Sequence, residues 1–189
     1  MIRILSGQRR GANLETLEGT NTRPLRGRIR EALFNIIRPH LRGAIVWDLF
    51  AGSGGVGLEA LSQGAERALF IECNPEAVAV INRNIQKLRF QETTQVIQSE
   101  LPKGLERINS KNQLPTIIFM MPPYFSGLAL DVLGSLQNVF SETQANPLIC
   151  LETQSTEEIL IPPFWEQVDQ RKYGITTLTF LRRTQKPNP

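Results

Sequence analysis

The stretch Val46-Trp47-Asp48-Leu49-Phe50-Ala51-Gly52-Ser53-Gly54-Gly55-Val56-Gly57 constrains this chain more than any other. The apolar run Ala44 to Val46 predicts a buried strand. The small residues after Phe50 predict a tight turn, and Val56 to Leu61 the first turns of a helix. Glycines in such a turn let the main chain approach a ligand, because a Cβ would fill the space and restrict the dihedrals the turn needs. The unit is a strand, a ligand-holding loop and a helix N-terminus.

Two ligand classes use such a unit. Gly52-x-Gly54-x-x-Gly57 matches the dinucleotide fingerprint, with Glu72 where a ribose-binding acid falls. Asp48 tilts the reading, since a carboxylate at the strand end repels a pyrophosphate and suits the cationic amino-acid end of S-adenosylmethionine. A second motif, Met121-Pro122-Pro123-Tyr124 after the apolar run Ile117 to Met120, has no role in hydride transfer.

From Ala44 onward, strands and helices alternate. The expected strands are Ala44–Leu49, Arg67–Glu72, Thr94–Gln98, Thr116–Met120 and Leu148–Glu152. The expected helices are Val56–Gln63, Pro75–Leu88, roughly Leu101–Ile108, and Leu128–Val139. Continuous apolar strands with helices between them predict an α/β fold, a doubly wound and mostly parallel sheet covered on both faces. Trp165–Arg171 and Ile175–Arg182, around Tyr173-Gly174, read as an antiparallel hairpin extending the sheet edge. At 189 residues and 41% hydrophobic, the chain fits one well-cored domain, residues 43–189, with a small N-terminal extension, residues 1–42.

That extension reads as two short strands, Ile2 to Leu5 and Ala12 to Leu17, around the basic turn Gly7 to Gly11. A helix over Leu25 to Ile37 follows, with Leu25, Ile29, Leu33, Ile36 and Ile37 on one face. Residues 1–42 carry nine arginines against three glutamates, residues 43–170 carry seven basic and fifteen acidic side chains, and residues 171–189 carry five basic and no acidic ones. Positive charge gathered at the chain ends suggests a polyanion partner. Arg9, Arg10, Arg23, Arg26, Arg28 and Arg30 are the candidate phosphate contacts. No run of eighteen apolar residues and no charged-then-apolar leader occurs, so neither a membrane span nor a secretory signal is expected and the cytoplasm is the expected place. Cys73, Cys150 and the single His40 have no metal-ligand spacing, and no metal is expected.

Ligands of doubly wound sheets bind beyond the carboxyl ends of the strands. That rule gathers Asp48 and its loop, Glu72, Glu100 and Met121 to Tyr124 into one crevice. Glu72 is placed to accept hydrogen bonds from ribose hydroxyls. Glu100 either faces an adenine amino group or is a solvated acid at a helix start.

These residues resemble a known family. Asp48-Leu49-Phe50-Ala51-Gly52-Ser53-Gly54 with Gly57-Leu58-Glu59-Ala60-Leu61-Ser62 and Gly64-Ala65 is similar to the bacterial RsmD-type 16S rRNA guanine-N2 methyltransferases. So are Ile2-Arg3-Ile4 with Gly7 and Arg10-Gly11, Arg23-Pro24 followed by Arg28 to Asn35, and Pro122-Pro123-Tyr124, in family order over nearly the whole chain. The resemblance implies a class I methyltransferase that takes S-adenosylmethionine and methylates a guanine exocyclic amine in small-subunit rRNA, with 16S rRNA, the small ribosomal subunit or its assembly intermediate as partner; from its size, the chain is expected to act as a monomer. Cofactor contacts would come from Asp48, Phe50, Ala51, Gly52, Ser53, Gly54, Gly57, Glu72, Cys73, Asn74, Glu100 and Leu101. The acceptor site would be built from Met121, Pro122, Pro123 and Tyr124, with Tyr124 as a surface for the target base. The N-terminal hairpin and helix would bind RNA.

Three features depart from the family pattern. Met121 stands where the family usually has Asp, Leu25 and Gly27 lie in a segment that usually holds a Thr and an Asp, and Glu100 replaces a common Asp. Met121 accepts hydrogen bonds only weakly through sulfur. The alternative expectation is therefore a weak or inactive family member that binds cofactor and RNA as an assembly factor.

Overall fold

A computed structural model describes residues 2–17, 27–108 and 114–184. A seven-stranded sheet organises them. It is formed by β3 (Ile45–Asp48), β4 (Arg67–Glu72), β5 (Thr94–Gln98), β6 (Ile117–Met120), β7 (Leu148–Gln154), β8 (Trp165–Tyr173) and β9 (Thr176–Arg183). The strand order is β5-β4-β3-β6-β7-β9-β8; the first five are parallel, and β9 runs antiparallel to both β7 and β8. Chain order reverses between β3 and β6, and the crevice of such a sheet opens at that switch. The expected doubly wound sheet with a C-terminal antiparallel hairpin is the observed one.

Side-chain alternation splits the strands between two cores. On β3, Val46 faces one core and Trp47 the other; on β6, Ile117 and Phe119 face the first while Ile118 and Met120 face the second. The first core is closed by α1 (Gly27–Leu41), α2 (Gly55–Ser62) and α3 (Pro75–Leu88), and the second by α4 (Leu128–Phe140). A short 3-10 turn, Lys103–Arg107, stands where a longer helix was expected. Its only buried residues are Gly104 and Leu105, so it lacks the apolar stripe that sustains an α-helix. In the second core the Trp165 indole donates to the Leu133 carbonyl at 3.0 Å, and Phe140 meets the same ring edge-on.

Local signals explain the helix ends. Asn74 accepts from the N–H groups of Glu76 and Ala77, and Pro75 sits in the first turn of α3, where its missing N–H costs nothing. α1 runs past the expected end at Ile37 and through Pro39, because Leu33, Ile37 and Leu41 continue a stripe buried to 1% exposure or less while Pro39 is exposed.

The N-terminal strands are shorter than expected, β1 (Ile2–Arg3) pairing antiparallel with β2 (Asn13–Leu14). Ile4, Leu14 and the apolar face of α1 belong to the same core as Val46 and Phe70. The turn between the strands docks on the end of α2: Gln8 N–H donates to the Ser62 carbonyl at 2.7 Å and Arg9 N–H to Ser62 Oγ at 3.0 Å. Gly7 has φ +83°, and a Cβ there would lie 1.7 Å from the Ser62 oxygen.

α2 is buried along its whole length and crosses β4 at Gly57, where an added Cβ would lie 2.3 Å from the Phe70 ring. Gly57→Ala is expected to lose about 1–3 kcal/mol or more of stability, because neither the helix backbone nor a fully buried ring can yield cheaply. A urea midpoint equal to the wild-type value would refute that close packing.

Candidate active site

Alternation places the informative strand ends on one face. Val46, Phe70, Phe119 and Cys150 belong to the core under α1, α2 and α3. Asp48, Glu72, Met121 and Glu152, each two residues further along, therefore point to that side of the carboxyl rim. Asp48 and Glu72 flank the Gly-rich loop; Met121 and Glu152 continue β6 and lie on β7.

Asp48 is 2% exposed, and its Oδ2 accepts from the Gly57 N–H at 2.9 Å, at the N-terminus of α2. Burial pushes its carboxyl up to about 7; the Gly57 bond opposes that shift, and the charge of Glu72 adds to it. A buried carboxylate short of compensation suits a cationic ligand, which fits the amino-acid end of S-adenosylmethionine. With so little exposed surface, Asp48 acts through its field and through the loop it fixes.

Glu72 ties the two sides of the crevice together. One oxygen accepts from Gly52 N–H at 2.7 Å, and the other accepts from Asn74 N–H at 2.9 Å and from the Cys73 thiol at 3.5 Å. The oxygen bound to Gly52 N–H keeps acceptor capacity for a hydroxyl. Gly52 has φ +55°, and a Cβ built on it meets nothing within 4 Å, so the main chain there is open to a ligand. Ala51 N–H is bonded to the Ile71 carbonyl, Gly54 N–H to the Ala51 carbonyl, and the Ser53 carbonyl accepts from Asn84, which sets the loop against α3. Phe50 and Leu101 pack partly buried against the second core. Glu100 is exposed beyond β5, its carbonyl taken by Gly104 N–H.

After β6, Met121 is half-buried, Pro122 buried and Pro123 exposed. The Tyr124 hydroxyl donates to Glu152 Oε1 at 2.7 Å and lies 3.2 Å from Thr176 Oγ1. Beside it Phe125 is 64% exposed at φ +56°, a rare conformation for a bulky residue, with its N–H bonded to Glu157 Oε1 at 2.9 Å. Sequence reasoning missed Glu152, although it ends a predicted strand as Glu72 does. It also missed Phe125 and Glu157, for which no motif exists.

The arginines divide. Arg30 is corrected: it is 4% exposed, Nη2 donates to the Arg3 carbonyl, and Nε has no partner among the described residues. A side chain so enclosed does not reach a phosphate; its spacing from Arg26 carried no information about which side of the helix the N-terminal strands cover. Arg9 is half-buried, its Nε bonded to the Leu88 carbonyl at 2.7 Å and its guanidinium 5.5 Å from the Phe90 ring. Arg10 and Arg28 are exposed, and Arg23 and Arg26 lie outside the described residues. Among the described residues no group of three or more metal-ligating side chains occurs, and no helix is long and apolar enough to cross a membrane.

Comparison with known proteins follows the same path. The family model described as Conserved hypothetical protein 95 matches residues 2–182. The ribosomal RNA small subunit methyltransferase D of Haemophilus influenzae is 29% identical over 178 residues, 93% of this chain and 91% of that protein. The protein of the same name from Escherichia coli is 34% identical over 137 residues, 72% of this chain and 67% of that one. The solved structure of Escherichia coli yhhF superposes with a TM-score of 0.80 at 29% identity, covering 98% of this chain and 99% of that one.

The Asp48 titration has a measurable consequence. An acid whose pKa is higher in the folded than in the unfolded chain holds its proton more tightly when native. The stability it lends is complete below its ordinary value of 3.8 and is lost as pH rises through about 7. Once ionised it costs the ligand-free fold on the order of 4 kcal/mol. Asp48→Asn keeps an acceptor for Gly57 and is expected to raise the urea midpoint at pH 8 and flatten its fall between pH 4 and 7. An unaltered pH profile would assign that fall to other groups.

Proposed function

The chain belongs to the Conserved hypothetical protein 95 family, that of the small-subunit rRNA methyltransferases D, and on that premise we propose that it transfers a methyl group from S-adenosylmethionine to the exocyclic N2 amine of a guanine in 16S rRNA. Its fold is the class I methyltransferase fold. The observation that carries the reading is the row of groups on one face of the carboxyl rim: the buried Asp48 and the loop-bound Glu72 on one side of the switch point, Met121 to Tyr124 on the other.

The cofactor supplies an electrophilic methyl on a sulfonium. Glu72 binds ribose hydroxyls in this reading, Asp48 compensates the cationic amino-acid end, and the main chain at Gly52 lies against the ligand. Met121 and Pro122 present backbone carbonyls that orient the amine for in-line attack. Arg10 and Arg28 hold RNA phosphates, and the cytoplasm, where small subunits mature, is the proposed place of action. Met121, which offers no carboxylate, favours one second reading, a binding factor that holds cofactor and RNA without transferring the methyl.

The deciding experiment is transfer of a labelled methyl group to small ribosomal subunits, and to their naked rRNA, from cells lacking the N2 modification. Label at a guanine N2 supports the enzyme, and bound cofactor without transfer supports the binding factor. Glu72→Ala is expected to weaken S-adenosylhomocysteine binding at least ~10-fold, the loss of charged hydrogen bonds; equal affinity by calorimetry removes it from the site. Arg10→Glu with Arg28→Glu should lower RNA affinity and flatten its dependence on salt while cofactor affinity holds. Unchanged RNA binding across the salt range would clear both arginines.

A further inference from the structure

Methylating an amine leaves a proton to be removed, and a group near the nitrogen must take it. The sheet register finds one. β6 and β7 pair Met120 with Leu151, so Met121 and Glu152 are the next lateral neighbours, roughly 5 Å apart along the hydrogen-bonding direction. They share a face, since Phe119 and Cys150, two residues before each, lie in the same core. Asp48 is level with Phe70 and Phe119, so the row above it runs from Glu72 on β4 to Met121 and Glu152. The crevice thus carries a carboxylate at each end, roughly three strand spacings apart.

The other two carboxylates of this face already hold main-chain N–H groups. Asp48 holds Gly57, and Glu72 holds Gly52, Cys73 and Asn74. Glu152 is oriented from the side by Tyr124, the residue that ends the Pro-Pro-Tyr motif, and Thr176 on β9 contacts the same hydroxyl. The side chain of Met121, in the expected acceptor motif, offers only a thioether.

Resting on the methyltransferase reading above, we propose that Glu152 is a catalytic residue: its carboxylate accepts a hydrogen bond from the methyl-accepting amine and takes the proton that the amine loses. The nitrogen lone pair forms the new N–C bond, the S–C bond breaks with its electron pair left on sulfur, and the extra proton on nitrogen passes to Glu152 and then to water. Burial raises the Glu152 carboxyl above the ordinary carboxylate range, against the pull of the Tyr124 bond, which makes the ionised form a better base.

The test is single-turnover methyl transfer to the rRNA substrate, with S-adenosylhomocysteine affinity and thermal midpoint measured on every variant. Glu152→Gln is expected to slow transfer ~10²-fold while binding cofactor as the wild type does. Met121→Asp in the Glu152→Gln background should recover at least tenfold, because it returns a carboxylate one strand away. A folded Glu152→Gln variant within threefold of wild type overturns the proposal. So does a tenfold gain from Met121→Asp alone, which would mean that the amine lacks an acceptor. No transfer by the wild type overturns the methyltransferase reading, and this proposal with it.

Discussion

The hydrogen bond from Gly57 to Asp48 is the joint on which the molecule turns. It fixes the N-terminus of α2 over the end of β3, and it is possible only because Gly57 brings the helix backbone against Phe70. From that seat α2 runs buried along the sheet, and the loop between β3 and α2 is stretched across the switch point. The positive end of the helix dipole and the buried carboxylate face each other, which offsets part of the cost of burying either. The loop is thus held from both sides, by Asp48 at its helix end and by Glu72 at Gly52. A ligand entering the crevice meets a main chain already in position, so little ordering entropy is left to be spent on binding.

The N-terminal segment depends on the same helix. Glu59, fully buried on α2, accepts from the N–H groups of Leu5 and Ser6 and from Gln63 Nε2, so a carboxylate inside the core is satisfied by main chain arriving from far away in sequence. Asn84 does the same on α3, accepting from Glu15 N–H while donating to the Glu15 and Ser53 carbonyls. That one amide links the N-terminal segment to the Gly-rich loop. Arg30, enclosed between the first strand and α2, completes this polar layer.

Why some of this was legible in the sequence and some was not follows from the kind of signal. The parallel strands and α3 are written in local apolar period and in the Asn74-Pro75 start, and both hold to within a residue or two. The loop and Glu72 are legible because closely spaced glycines between an apolar strand and a helix, with an acid ending the next strand, suit a ligand-holding turn and little else. Arg30 was not, since a charged residue on a helix is ordinarily solvated, and only tertiary packing tells which side another strand will cover. Glu59, Asn84 and Glu152 pair across 28 to 69 positions of sequence, and no local window records such partners.

One edge of the sheet is β8, nearly all of whose residues after Trp165 are exposed, with Glu166, Asp169, Arg171 and Lys172 along it and a register shift between Gln167 and Asp169. Charged side chains and a kink spoil the regular row of N–H and C=O groups that another strand would need. At this edge the protein therefore carries its own guard against stacking edge to edge with its copies.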